Sequence, residues 1–269
     1  MTVYFDRSSV QSGAFPAILA IGDSWFWYPI ASNLLAEVSA ALKSAYANIL
    51  ALGYIGAELK EYVAGKYAIA FARELRPVYA RYYSAVLISG GGNDAVDWGL
   101  CLNSDCSGAA TAADCVDAQR LSDQLTDLGG WLLTMIGEIH SAFDDAHLAR
   151  PDVFIHCYDY SVPNGIGFSS PVLHIKLKGP WLKPAMDLAG IPADPTLRRG
   201  IVRILIDELT QTFAEFDSPP DRVHVIRSAG TLDADTDWAN ELHPNGVGFR
   251  KLVQGPWLDR LKQTGFAPP

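Results

Sequence analysis

Five short runs of apolar, largely β-branched residues punctuate the chain: Ala17 to Ile21, Asn48 to Leu52, Ala85 to Ser89, Asp152 to Tyr158 and Arg222 to Arg227. Runs that stay apolar instead of alternating suit strands covered on both faces. Between them the period becomes helical. Asn33 to Tyr46 carries Leu34, Leu35, Val38, Ala41 and Leu42 at helical spacing, Asp117 to His147 and Arg198 to Phe216 are patterned alike, and a last helix is expected after Pro244. Strands alternating with helices predict βαβ units, right-handed crossovers and a mainly parallel sheet. The economical architecture is one α/β domain over residues 1–269, in three α/β/α layers.

Two segments break the rhythm. Asp97 to Ala118 holds Cys101, Cys106 and Cys115, and Ser161 to Gly200 holds six of the sixteen prolines, at 163, 171, 180, 184, 192 and 195. Prolines at that density exclude a long regular element, so the second segment is expected to be an excursion from the sheet and a candidate lid. Both follow predicted strands. Loops beyond the carboxyl ends of parallel strands form the binding crevice, so both should shape a ligand site. The spacing of the three cysteines, with no histidine between them, is a poor zinc pattern; a loop-closing disulfide and free thiols in a reducing compartment stand open for them and for Cys157.

With 30 acidic against 21 basic side chains the net charge is −9 and the pI near 5.0, and no Lys/Arg cluster is present, so nucleic acid is not expected as a partner. The longest apolar runs, Ala14 to Gly22 and Ile49 to Ala57, are nine residues each, against roughly 18 for a membrane helix, so no membrane span is expected. The N-terminus lacks a basic stretch followed by an apolar one, which leads to the expectation of a cytoplasmic protein, with export by another route left open.

The candidate chemistry gathers at predicted strand ends. The first strand runs into Gly22, Asp23 and Ser24, then the aromatics Trp25, Phe26, Trp27 and Tyr28. A serine at a strand-to-helix turn exposes its hydroxyl beside backbone N–H groups, which suits a nucleophile. Taken alone, a Gly-Asp-Ser turn is more often a plain turn. The second strand is followed by Gly53-Tyr54-Ile55-Gly56 and the third by Gly90-Gly91-Gly92-Asn93-Asp94, segments with neither the spacing nor the lysine of a phosphate loop. His243 stands just before Pro244 and the last helix. His156 and His224 fall in predicted strands, His140 and His147 are spaced to share a helix face, and His174 lies in the proline-rich excursion.

Taken in order, Gly22-Asp23-Ser24-Trp25 after strand one, Gly56 after strand two, Gly91-Gly92-Asn93-Asp94 after strand three and His243-Pro244 before the last helix resemble the SGNH (GDSL-like) hydrolases. The resemblance spans roughly residues 17 to 265, the excursions apart. It implies a flavodoxin-like sandwich around a parallel sheet of about five strands. It implies Ser24 as nucleophile, His243 as general base, and Ser24, Gly56 and Asn93 as the oxyanion-hole donors. No metal or organic cofactor is implied. One position departs from the pattern, because Asn240 stands where the family has an aspartate three residues before the histidine. Asn240 or its backbone could orient the imidazole, Asp237 or Asp235 could substitute, or a Ser-His dyad could act alone; lacking a carboxylate at 240, turnover should be modest. Trp25 and Trp27 either seal the first helix to the sheet or line an acyl pocket, with Trp98, Trp181 and Leu182 as further lining candidates. The activity implied is hydrolysis of a small carboxylic ester, of short to medium or hydrophobic acyl chain, through an acyl-enzyme. An acyltransferase acting on a carbohydrate or lipid hydroxyl, and a non-catalytic ligand-binding module, are the alternatives.

Overall fold

The structure is a computed structural model and describes residues 2–10, 13–27, 33–169 and 176–269, the side chains of 95–98, 169, 176 and 177 excepted. Its centre is a sheet of β1 (Thr2–Tyr4), β2 (Ile18–Gly22), β3 (Asn48–Gly53), β4 (Ala85–Ser89), β5 (Asp152–His156) and, after the pair β6 (Phe168–Ser169) and β7 (Lys176–Lys178), β8 (Val223–Ile226). The six strands run parallel in the order β1-β3-β2-β4-β5-β8, while β6 and β7 form a separate antiparallel pair. Every residue of β2, β4 and β5 is buried, as a sheet covered on both faces demands. Five of these strands fall on the five apolar runs. The sixth, β1, adds three residues at the edge beside β3, too short a segment for its alternation to stand out.

The helices are α1 (Leu34–Ala41), α2 (Leu59–Val63), α3 (Ala68–Glu74), α4 (Pro77–Ala80), α5 (Ala118–Asp145), α6 (Leu182–Leu188), α7 (Pro195–Ala214), α8 (Gly246–Leu252) and α9 (Leu258–Gln263). They pack in two groups, α1 with α8 and its continuation, and α2 with α5 and α7. The 28-residue α5 starts where Asp117 caps it, accepting the Arg120 N–H at 3.0 Å, and buries Leu121, Leu128, Leu132, Met135, Ile139 and Phe143 along one stripe. Helix α7 begins three residues before the expected Arg198. Pro195 is its first helical residue and Asp194 its cap, a position in which a proline starts a helix and does not interrupt one. Conversely α1 is shorter than its apolar period, because Leu42 is extended and the chain re-forms only a 3₁₀ turn at Ser44–Tyr46.

Three other expectations change. His147 lies past the end of α5 with φ 55°, so it shares no helix face with His140. All four cysteines are buried free thiols, and the loop-closing disulfide is not formed; the Cys101 thiol donates to Gln124 Oε1 at 3.0 Å. The proline-rich excursion is also more structured than its composition suggests, holding the β6–β7 pair and α6.

The strand ends are in register, Gly22 opposite both Gly53 and Ser89, and Ser89 opposite His156. Gly22 is required by close approach, since a Cβ there would stand 2.5 Å from the Ser89 carbonyl oxygen. Chemical denaturation of Gly22→Ala should therefore give a midpoint corresponding to a loss of about 1–3 kcal/mol, the usual cost of overpacking a rigid site; an unchanged midpoint would contradict this packing.

Candidate active site

Chain order and sheet order disagree most at β2, which has β3 on one side and β4 on the other, so the crossovers on either side of it leave a crevice beyond its carboxyl end. Ser24 sits in that crevice, in the turn following Gly22. The turn is braced from below by Asp23, whose carboxylate accepts the Trp25 N–H at 3.0 Å, the Ser89 hydroxyl at 3.1 Å and the Tyr158 hydroxyl at 2.5 Å. Burial pushes the Asp23 carboxyl up to about 6, with these three donors pulling the other way.

His243 arrives from the loop between β8 and α8, 219 residues along the chain, and its Nε2 lies 2.7 Å from Ser24 Oγ. The loop is tightly turned. Ala239 N–H donates to the His243 carbonyl at 2.9 Å, and Trp238 pairs with Pro244 in a short antiparallel bridge. Asn240 closes the turn with one atom, its Oδ1, which lies 2.9 Å from the N–H of Leu242, 2.9 Å from the N–H of His243 and 3.0 Å from His243 Nδ1. Two backbone donors aimed at the same amide atom require it to be the oxygen, since an NH₂ group there would face N–H against N–H. Nδ1 must then carry the ring hydrogen, and Nε2 presents its lone pair to the Ser24 hydroxyl. Burial alone holds the imidazole well below its ordinary range, at about 4, so it is a neutral base at physiological pH.

The aspartates weighed as substitutes are engaged elsewhere. Asp237 is buried and its carboxylate takes Lys251 Nζ at 2.6 and 2.9 Å and the Asp233 N–H at 2.8 Å. Asp235 pairs with Arg199 at 2.6 Å on the surface. Both brace the loop, and Asn240 is the residue in contact with the ring.

Asn93 lines the same cleft as Ser24 and His243. One hydrogen of its amide goes to the Ala57 carbonyl at 3.0 Å, which fixes the side chain and leaves the second available to a bound molecule. Gly56 immediately precedes Ala57 in the turn after β3 and adopts φ +78°, a left-handed conformation that favours glycine, but it is not among the residues lining the cleft. Asp94 clasps the two glycine-containing turns together by accepting the N–H groups of Leu59 and Gly91 at 3.1 and 3.2 Å.

The four tryptophans divide. Trp25 is buried, lines the cleft, and packs edge-on against Tyr158 and Phe249, with its Nε1–H donating to the Leu242 carbonyl at 3.0 Å. It therefore serves both as seal and as lining. Trp27 lies against Phe5 and over Gly53, and is not among the cleft residues. The Trp181 ring stands 6.2 Å from the imidazole of His243, edge-on. Trp98 contributes backbone to the 3₁₀ turn Asp94–Cys101 and its side chain falls outside the described portion, as do Tyr28 and His174. Tyr158, Ser161, Ile206 and Leu242 line the cleft without having been singled out as site residues by the sequence; Tyr158 closes the fourth apolar run and Ser161 opens the excursion after it. Glu241, whose contacts are described below, was equally hidden inside the histidine motif. Among the described residues no group of histidine, cysteine and carboxylate side chains is arranged to hold a metal ion, and no helix is long and apolar enough to cross a membrane.

Comparison with solved structures gives a lipase from a goat rumen metagenome, superimposing at a TM-score of 0.54 with 12% identity over 93% of this chain and 97% of that one. The likeness is one of fold, a parallel sheet flanked by helices. An acetyl esterase mutant with an acetate ion shares this fold at a TM-score of 0.50 and 10% identity, over 93% of this chain and 98% of the other. No protein-family model and no curated protein matches the sequence. At identities this low the likeness extends to the backbone arrangement, and what that arrangement carries here rests on the side chains themselves.

An NMR titration of the His243 ring should give a value near 4 in the native protein. In Asn240→Asp, where a carboxylate replaces the amide on Nδ1, the value should rise by one unit or more, because a negative charge favours the imidazolium. No change on substitution would remove Asn240 from the ring.

Proposed function

We propose that the protein is a serine esterase that hydrolyses small carboxylic esters through an acyl-enzyme, with Ser24 as nucleophile, His243 as general base and acid, and Asn240 as the group that orients the imidazole. The observation that carries this reading is the hydrogen-bonded chain from Ser24 Oγ to His243 Nε2 at 2.7 Å and from Nδ1 to Asn240 Oδ1 at 3.0 Å, inside a cleft. A neutral imidazole with its lone pair on the serine hydroxyl is the arrangement needed to accept the proton as Oγ attacks a carbonyl carbon. The ring then returns that proton to the departing alcohol, and a water molecule repeats the sequence on the acyl-enzyme.

The developing oxyanion needs donors already in place. The second hydrogen of the Asn93 amide and the backbone N–H of Ser24 supply them in this reading, in a site where each donor counts for more than in bulk solvent, while Gly56, the third donor the resemblance implies, stands outside the lining of the cleft. Asn240 differs from the usual carboxylate in one respect only. It selects the same tautomer and holds the same ring orientation, yet it offers no charge to the imidazolium formed on proton transfer. The cost of that substitution is electrostatic and not geometric, so it should be smaller than the ~10⁴-fold loss seen when an amide in a protease triad leaves the histidine in the wrong tautomer.

The deciding experiment is a p-nitrophenyl acetate assay, with fluorophosphonate labelling, on the native protein and single substitutions. Ser24→Ala and His243→Ala should lose at least 10³-fold in kcat and Ser24→Ala should lose labelling. Asn93→Ala and Asn240→Ala should lose on the order of 10²–10³-fold, the usual effect of removing one preorganised partner, whereas Asp237→Asn should lower the unfolding temperature and leave Ser24 labelling intact. Equal rates in all five variants would refute the assignment.

The sign of the pH dependence follows from the imidazole. Catalysis needs the neutral ring, whose folded-state value of about 4 lies below the ordinary 6.5, so kcat/KM should stay level as pH falls through 6.5 and decline only toward 4. Asn240→Asp should move that acid limb upward in pH and raise kcat near neutrality by about tenfold, equivalent to ~1.4 kcal/mol. A native acid limb at or above 6.5 would contradict the desolvated, uncharged environment of the ring.

A further inference from the structure

The inner wall of the cleft is apolar and comes from outside the four motif blocks: Tyr158 and Ser161 from the exit of β5, Leu182 at the start of α6, Ile206 in the middle of α7, and Leu242 beside the histidine. Leu182 and Ile206 are buried. The cleft that they line together with Ser24 is partly open to solvent and holds a cavity of about 40 Å³. At roughly 10–15 Å³ per water-sized group, that admits about three such groups. An acetyl to butyryl chain fits it, and a longer chain meets Leu182 or Ile206.

Leu182 belongs to the proline-rich excursion, whose position is set by a single buried carboxylate. Glu241 is fully buried, and its two oxygens accept the N–H groups of Gly165 at 3.0 Å, Leu182 at 2.7 Å, Lys183 at 3.0 Å and Trp181. Its main chain adds two more links, donating to the Ile166 carbonyl at 3.0 Å and accepting the Val162 N–H at 3.1 Å. A carboxylate removed from water is expensive unless its lone pairs are filled, and four backbone donors fill them. The side chain that makes this anchorage sits between Asn240 and Leu242, within the turn that carries His243. The described part of the excursion is therefore a wall fastened to the base loop at several points.

We propose that Leu182 and Ile206 set the acyl-chain length of the substrate, restricting it to esters of two to about four acyl carbons, and that Glu241 is the positioning residue that holds Leu182 against the acyl chain. This deepens the esterase reading and rests on it. Glu241 touches no reacting atom; it acts through the backbone of α6.

The test is a p-nitrophenyl ester series from acetyl to dodecanoyl, run on the native protein, Leu182→Ala, Ile206→Ala, Glu241→Gln and Glu241→Ala, with fluorophosphonate labelling of Ser24 in each. The native protein should prefer acetyl and butyryl esters, with kcat/KM for octanoyl at least tenfold lower. In Leu182→Ala and Ile206→Ala the octanoyl-to-acetyl ratio should rise tenfold or more as the cavity deepens. In Glu241→Gln, where one oxygen is lost, the ratio should rise by a smaller factor, chiefly through KM; Glu241→Ala should show the larger effect with labelling of Ser24 preserved. A native protein indifferent to chain length, or a ratio unmoved in both Leu182→Ala and Ile206→Ala, would overturn the assignment of the wall. A loss in kcat alone in both Glu241 variants, at an unchanged ratio, would overturn the positioning role. Absence of labelling and of hydrolysis on every ester in the native protein would instead overturn the esterase reading itself, and this proposal with it.

Discussion

The proposed chemistry depends on one oxygen atom. Asn240 Oδ1 receives two main-chain donors and the imidazole Nδ1, and that threefold convergence sets the loop conformation, the ring orientation and the tautomer together. The two main-chain hydrogen bonds are local, spanning two and three residues, so they form as soon as the turn does. What reaches Ser24 is then a ring already presenting the correct nitrogen. A carboxylate would make the same contacts, and the amide shows that geometry and charge, usually supplied together at this position, are separable.

That separation bears on where the site stores its electrostatic cost. His243 is desolvated and its Nδ1 meets an amide oxygen, so the neutral form is favoured at rest, and protonation during a reaction must be supported by surrounding dipoles. The buried negative charge lies on the other side, at Asp23 beneath the Ser24 turn, held by the hydroxyls of Tyr158 and Ser89 and the N–H of Trp25. Trp25 also reaches across to the Leu242 carbonyl. One indole thus ties the turn bearing the hydroxyl to the turn bearing the imidazole, and the aromatic run after Ser24 has a mechanical reason to begin with tryptophan.

The sheet was legible in the sequence because its strands are buried on both faces, and five apolar runs of that kind leave little choice of architecture. Ser24, Asn93 and His243 were legible because each follows a strand or precedes a helix with glycine or proline beside it, a local signature of a strand-end turn. The choice between Asn240 and Asp237 was not. Both lie on the same loop, and only the positions of Lys251, fourteen residues along the chain and folded onto Asp237, and of the Leu242 and His243 N–H groups distinguish them. The wall of the cleft was hidden for a different reason. Ile206 sits in an ordinary amphipathic helix, and Leu182 in a segment whose prolines obscure its period, so neither carries a chemical marker. Glu241 was hidden by its type, since a glutamate within a polar loop reads as solvated until the backbone donors that surround it are seen.

The 219 positions separating Ser24 from His243 have a temporal meaning as well as a spatial one. During translation the hydroxyl emerges 219 residues before the imidazole, and β3, β4, β5 and β8 are all made in between. Until β8 has added itself to the far edge of the sheet, no base stands beside the serine, and an alcohol without one is chemically quiet. The reactivity proposed for Ser24 would thus be withheld from the nascent chain until the loop after β8 has been made and folded back onto the sheet.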